Sequence, residues 1–273
     1  MDSSRTSTKL NNNIVMPLIG LGVYDMYERE AEQAVESALE IGYRLIDTAS
    51  MYNNEKEIGN AIKNSGIKRD EIFITTKLNN TDHGYDQAMK AFDESLQKLQ
   101  QDYIDLYLIH WPIKKGRKES WKALEKLYAD KRVRAIGVAN YTVPFLEELK
   151  SYASIIPAVN QIEFTPWLYQ KDVLDQCKKQ GTQLQSYSPL TRGIKFNDPR
   201  IIKLCKKYQR SPAQIILNWN IQLGVSAIPK SIKVERLQEN FDATNFDLDL
   251  DDVIFMNSFN EGFRICDDPI QFL

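Results

Sequence analysis

Apolar residues in this chain gather in short runs rich in β-branched and aliphatic side chains, and stretches of helical periodicity separate the runs. LIGLGVY (18–24), YRLID (43–47), IFITTKL (72–78) and YIDLYLIH (103–110) come first. VRAIGVAN (133–140), AVNQIEF (158–164), TQLQSYS (182–188) and VSAIPKS (225–231) follow. Near-continuous apolarity over so few residues predicts parallel strands covered by helices. Between them run stripes at helical spacing: Ala31, Ala34, Val35, Ala38 and Leu39; Ala88, Phe92, Leu96 and Leu99. Trp121, Leu124, Leu127 and Tyr128 form a third stripe, and Ile201, Leu204, Cys205 and Tyr208 a fourth. Eight strands, each followed by helix, over about 250 residues is the count of an α/β (β/α)8 TIM barrel. A doubly wound sheet competes, but it needs a glycine-rich turn after an early strand. Gly20-Leu21-Gly22 has Asp25 where G-x-G-x-x-G requires its third glycine. The expectation is therefore one barrel domain over 1–273, with 1–8 as a flexible lead.

A barrel builds its site from the C-terminal ends of its strands. Strand two ends in Asp47, strand three in Lys77, strand four in His110 and strand five in Asn140; strand six carries Gln161, strand seven Tyr187, and strand eight runs into Lys230. Neighbouring strands lie roughly 4.8 Å apart, so Asp47, Lys77 and His110 are expected side by side. Tyr52, on the loop leaving strand two, can fold back over them. No second carboxylate is expected in this group. The chemistry such a set permits is proton transfer. A free tyrosine, with a pKa of about 10, is a poor acid–base group near neutrality. A nearby lysine cation lowers that value, and an aspartate keeps the lysine charged and oriented. Singly, each residue has a plainer reading: packed loop aromatic, solvated lysine, core histidine. Four on adjacent barrel positions reverse the balance. Asp47 is not needed as a helix cap, because Asn54 with Glu57 three residues on resembles a capping box.

The far half of the rim suits an anion. Lys230, Ser231 and Arg236 follow strand eight at a helix start, where barrels often hold phosphate. The basic loop Ile113 to Lys118 (IKKGRK) leaves the same rim and is expected to be solvated.

Composition narrows the partners. Apolar content of 42%, charged content of 26% and a net charge of −2 are those of an ordinary globular protein with no field calling for nucleic acid or an anionic membrane. Cys177, Cys205 and Cys266 make neither a disulfide framework nor a zinc spacing, and only His83 and His110 are present. No metal and a reducing compartment are expected. The leading MDSSRTSTKLNNN lacks a signal-peptide apolar core, and the charge-free run Ser211 to Pro229 is broken by Gln214, Asn218, Asn220 and Gln222. A cytoplasmic protein without membrane attachment is the expectation.

VMPLIGLGVY, GYRLIDTASMYNNEKEIG, IHWP and IPKS followed by ERLQEN together resemble the aldo-keto reductases, in particular their compact microbial members, over nearly the whole chain. The resemblance implies NADPH-dependent reduction of aldehydes and ketones by a monomer acting on a small-molecule carbonyl. Tyr52 would be the general acid, Lys77 and Asp47 would tune it, and His110 would orient the carbonyl. Asn140 and Gln161 would hold the carboxamide and Tyr187 would stack on the nicotinamide. Gly22, Val23, Tyr24, Ser188 and Leu190 would also lie on the cofactor. Lys230, Ser231 and Arg236 would meet the 2′-phosphate, with Glu239 and Asn240 at the adenine. Tyr24, Met51, Asn79 and Trp111 would line the substrate pocket. Two positions depart from the family pattern: Ala139 stands for the usual serine before Asn140, and Asn79 for a common tryptophan. The first implies one lost carboxamide hydrogen bond, the second a more open pocket. An aldolase forming a Schiff base on Lys77 is the alternative enzyme class. A non-catalytic relative ranks low, since all four residues are present and no extra domain is evident.

Overall fold

Six consecutive buried residues, Phe73–Leu78, make the simplest strand to explain, since apolar and β-branched side chains serve both faces where helices cover one and a filled lumen the other. In the structure, a computed structural model describing residues 6–272, all eight apolar runs contribute strands to one parallel sheet. A hairpin precedes it, β1 (Ser7–Lys9) antiparallel to β2 (Val15–Pro17). The barrel strands are β3 (Leu21–Gly22), β4 (Leu45–Asp47), β5 (Phe73–Leu78), β6 (Ile104–Ile109), β7 (Val133–Ala139), β8 (Val159–Glu163), β9 (Gln183–Tyr187) and β10 (Ser226–Ile228), hydrogen-bonded in chain order. The sheet closes where Ile19 bridges Ala227 and Gly22 N donates to Pro229 O at 3.2 Å. A Cβ on Gly22 would stand 2.8 Å from Ile228 O, so a glycine is what allows the first and last strands to meet.

The hairpin corrects one expectation. Ser7 and Thr8, assigned to a flexible lead, are paired strand residues, and Leu10 and Met16 plug the lower end of the barrel. Residues 1–5 of that lead lie outside the described residues.

The helices are α1 (Glu28–Ile41), α2 (Glu55–Asn64), α3 (Tyr85–Leu99), α4 (Arg117–Ala129), α5 (Val143–Lys150), α6 (Lys171–Gln180), α7 (Pro199–Tyr208), α8 (Pro212–Gln222), α9 (Val234–Phe241) and α10 (Leu250–Asn257). Helix α1 buries the predicted stripe Ala31, Ala34, Val35, Ala38 and Leu39. The charge-free run becomes α8 and β10. Ser211 and Gln214 form a capping box at the head of α8, and buried Asn218 donates to Ala243 O and Phe246 O. Among the described residues no helix is long and apolar enough to cross a membrane.

Alternation along the strands sets the site. Side chains two apart face the same way, so Leu45, Phe73, Leu106, Leu108, Ala135 and Val159 form an apolar lumen cluster. Continuing the same faces upward brings Asp47, Lys77, His110 and Gln161 to the C-terminal rim. A hydrocarbon floor thus lies under a polar mouth.

The capping expectation at α2 is corrected. Asn54 flanks the helix, but its side chain makes no cap bond. It accepts from Thr48 Oγ1 at 2.7 Å and donates to Val23 O at 2.8 Å and Met26 O at 2.9 Å. Buried completely, the amide must satisfy both ends, and the carbonyls beside it belong to the loop after β3. Asn54 is a brace between two rim loops, and Glu57 has no part in a capping box.

Candidate active site

Asp47 ends β4 and Lys77 lies one residue from the end of β5, so the two meet across adjacent strands. Lys77 Nζ donates to Asp47 Oδ1 at 2.5 Å and to Thr48 O at 2.8 Å, with both side chains buried. Burial raises the Asp47 carboxyl and lowers the Lys77 ammonium, and each is pulled back by its partner. Tyr52 closes the 3₁₀ turn Ser50–Tyr52 and lies over the pair, its ring centroid 5.1 Å from Lys77 Nζ. The ring also stands edge-on to Tyr24 at 5.1 Å and to His110 at 5.7 Å. Among the described residues the Tyr52 hydroxyl has no protein partner, and it is not among the sealed polar atoms. The four residues expected to converge are therefore together.

One electrostatic expectation is reversed. Burial first, then the Asp47 carboxylate, holds the Tyr52 phenol well above its ordinary value instead of below it. The reason is burial of the ring in the rim, to which the neighbouring Asp47 carboxylate adds, while Lys77 Nζ is hydrogen-bonded to Asp47 and Thr48. Burial, then the Lys77 charge, pushes His110 well below the usual histidine value, so its ring is neutral at pH 7.

The other expected site residues spread around the same rim. Asn140, at a left-handed φ of 66°, donates to His110 O at 2.9 Å and accepts from Tyr187 OH at 2.8 Å. Gln161 donates to Asp47 Oδ2 at 2.6 Å and to Gln185 Oε1 at 2.8 Å. Ser188 has a left-handed φ, as do Thr191 and Arg192 beyond Leu190, which bends the loop after β9 tightly beside the mouth. Val23 is buried under the rim; Tyr24 is 54% exposed, and Met51, Asn79 and Trp111 are half-buried around the opening. Trp111 packs on Phe272 at 5.5 Å.

On the far side, Lys230 is not a bare cation. Its Nζ donates to Asp25 O at 2.7 Å and stands 3.7 Å from the Asp25 carboxylate. Ser231 Oγ accepts from Lys233 N at 3.1 Å, making a turn into α9. Arg236 is exposed, Glu239 half-buried and Asn240 buried on α9.

Glu163, at the end of β8, is engaged away from the Asp47–Lys77 group: it accepts from Ile265 N at 2.8 Å and Cys266 N at 3.1 Å. One further expectation fails, since IKKGRK is not wholly solvated. Arg117 is buried, paired with Glu148, and donates to Pro112 O at 2.9 Å and Phe272 O at 3.4 Å. Both groups hold the C-terminal segment over the mouth, where the Cys266 thiol reaches Ser188 and Tyr187. Glu163 was within reach of the strand alternation, two residues beyond Gln161. No sequence signal marks where the tail lies.

The residues present fit a bound nicotinamide dinucleotide. The mouth offers an amide oxygen on Gln161 that has no partner among the described residues, a half-buried Tyr187 ring and, 230 onward, cations at a helix start. Among the described residues no cluster of histidine, cysteine or carboxylate side chains could hold a metal ion.

Comparison with known proteins gives a consistent picture. The chain is 46% identical over 272 residues to the glyoxal reductase of Bacillus subtilis (strain 168), covering 99% of each. It is 43% identical to the morphine 6-dehydrogenase of Pseudomonas putida over 275 residues, 95% of this chain and 93% of the relative. Among solved structures, the aldo-keto reductase MGS-M4 from a Medee basin deep-sea metagenome library matches with a TM-score of 0.93 and 45% identity, covering 96% of this chain and 98% of that one. A Gox0644 mutant in complex with NADPH matches with a TM-score of 0.92 and 37% identity over 97% of each chain. The sequence model described as the Aldo/keto reductase family matches residues 18–261, and this chain belongs to that family.

Proposed function

We propose that this chain is a cytoplasmic, monomeric NADPH-dependent reductase of aldehydes and ketones in which Tyr52 is the proton donor. One observation carries the reading most directly. The Tyr52 hydroxyl is open to the mouth, while everything around it, the Asp47–Lys77 pair and neutral His110, is buried and fixed. The NADPH-bound structural neighbour and the glyoxal reductase relative support the cofactor and the substrate class.

When bound, the dinucleotide supplies the hydride. The chain's own residues do the rest. Gln161 and Tyr187 position the nicotinamide end, and Arg236 and Lys230 answer the 2′-phosphate, with Ser231 beside them. Glu239 and Asn240 flank the adenine, and Gly22, Val23, Ser188 and Leu190 border the groove. Asn140 holds Tyr187 and the His110 carbonyl in place. Neutral His110 can donate one hydrogen bond to the carbonyl oxygen, and Tyr52 gives that oxygen its proton as it becomes an alcohol. Lys77 compensates the phenolate left behind, and Asp47 keeps the lysine in place. The Schiff-base alternative finds little support, because Lys77 Nζ is sealed in the wall and hydrogen-bonded on two sides.

Titration of the wild-type chain with NADPH and NADH tests the cofactor. An arginine–phosphate contact contributes about 1.5–3 kcal/mol, so NADPH should bind about ten- to a hundredfold more tightly. Arg236→Ala should remove most of that difference. Equal affinities for the two dinucleotides would defeat the phosphate assignment.

The pocket formed by Tyr24, Met51, Asn79 and Trp111 is open, with Asn79 where an aromatic wall is common. Broad specificity should follow. Over a panel of glyoxal, short aliphatic and aromatic aldehydes, kcat/KM is expected to stay within about tenfold, the scale of modest apolar contacts. One substrate preferred by more than about a hundredfold would contradict this.

A further inference from the structure

The barrel lumen contains a buried row of hydrogen bonds that the reaction as described does not use. Gln161, Gln185 and Ser226 pair in register on β8, β9 and β10, so three polar side chains point inward at one level. Ser226 Oγ donates to Pro17 O at 3.3 Å. Gln185 Nε2 donates to Ser226 Oγ at 3.2 Å, and Gln185 Oε1 accepts from Gln161 Nε2 at 2.8 Å. The same Gln161 nitrogen donates to Asp47 Oδ2 at 2.6 Å. None of these four side chains belongs to a residue more than 2% exposed.

Burying amides in a lumen that hydrocarbon could fill is unfavourable unless every group is satisfied. What the row achieves is orientation. A glutamine amide can present either end to a neighbour, and here the choice is removed step by step. A backbone carbonyl can only accept, so the Ser226 hydroxyl donates to it and must accept from Gln185. Gln185 therefore turns its oxygen to Gln161, whose nitrogen then has an acceptor on each side, Gln185 and Asp47. Gln161 is left with one unengaged group, its Oε1, which has no partner among the described residues and is not sealed.

We propose that Gln185, with Ser226 behind it, is a positioning residue that locks Gln161 with its oxygen outward, so that the site selects a carboxamide N–H2 at the nicotinamide ring. This rests on the reading that the mouth binds a nicotinamide dinucleotide. Gln185 touches neither cofactor nor substrate. It acts together with Asp47: each takes one N–H of the Gln161 amide, so that Gln161 faces the mouth as an acceptor only.

The test uses NADP+ and its 3-acetylpyridine analogue, which carries a methyl group in place of the carboxamide N–H2. Wild type should bind NADP+ about tenfold more tightly than the analogue, the scale of one hydrogen bond with a buried acceptor left unpaired. In Gln185→Met only Asp47 still anchors the Gln161 nitrogen, the amide can swing out of line with the ring, and the ratio should fall to about twofold. Ser226→Ala, a smaller change that leaves Gln185 in place, should lower the ratio in the same direction. Adenosine 2′,5′-bisphosphate, which has no nicotinamide, should bind all three proteins alike. A ratio unchanged in both variants overturns the assignment. So does an equal loss of NADP+ and adenosine bisphosphate binding, which would make the row merely structural. A wild-type protein that binds no dinucleotide would overturn the functional reading itself, a result distinguishable from either.

Discussion

Tyr52→Phe is expected to lower kcat/KM for aldehyde reduction by about a hundred- to ten-thousandfold, the usual contribution of a positioned acid, while NADPH binds as before. The substitution removes one oxygen and little else. The ring keeps its edge-on contacts with Tyr24 and His110. No buried partner is orphaned, because the hydroxyl has none among the described residues, so stability should change by less than about 1 kcal/mol. Steady-state kinetics, NADPH titration by protein fluorescence and a melting curve on the same preparation separate these effects. A variant retaining more than about a tenth of wild-type kcat/KM would take the proton-donor role from Tyr52.

The same geometry predicts a pH profile. Burial and the Asp47 carboxylate raise the Tyr52 phenol, so it stays protonated well beyond neutrality. Burial and Lys77 hold His110 neutral, so it does not titrate near its ordinary value of about 6.5. Reduction should then be flat from about pH 6 to about pH 9, whereas alcohol oxidation, which needs the phenolate, should rise with pH. An alkaline loss of reduction centred below about pH 9 would mean that Lys77 draws the phenol down after all.

The barrel was legible because each of its strands is buried on both faces and therefore apolar along its length, with helical stripes between. The rim was legible for a related reason: a polar residue ending such a run has no packing role to explain it. Asp47, Lys77 and His110 stand out in this way, and adjacency of sequential strands brings them together. Asn54 misled because its spacing to Glu57 imitates a cap, whereas its bonds are set by carbonyls on a loop nearly thirty residues earlier. Arg117 misled because its sequence neighbours are solvated lysines, and its partners, Glu148 and Phe272 O, are distant in the chain. Side chains answering local backbone can be read from spacing; those answering tertiary neighbours cannot. The phenol shift belongs to the second kind, since it depends on how deeply the folded rim buries the ring beside Asp47.

Lys77→Met should damage both stability and activity, and the two losses can be separated. Removing the ammonium leaves Asp47 buried with Gln161 as its remaining side-chain donor. Breaking one side of a buried pair costs about 3–5 kcal/mol. The loss should depend on pH in a definite direction. Burial already raises the Asp47 carboxyl and Lys77 is the main influence pulling it back, so the variant's folded pKa lies further above the unfolded value of about 3.9. For an acid raised on folding, its contribution to stability is fully present below the unfolded value and is lost as pH rises through the folded one. Lys77→Met should therefore melt at a higher temperature at about pH 5 than at about pH 7.5, a difference that wild type does not share to the same degree. Adding Asp47→Asn removes the stranded charge, and the double variant should recover most of the stability and lose the pH dependence. Neither protein should recover activity, because no cation remains beneath Tyr52 to compensate the phenolate, and kcat/KM should stay at least about a hundredfold below wild type. A double variant that regains catalysis together with stability would show that the pair serves the barrel wall alone.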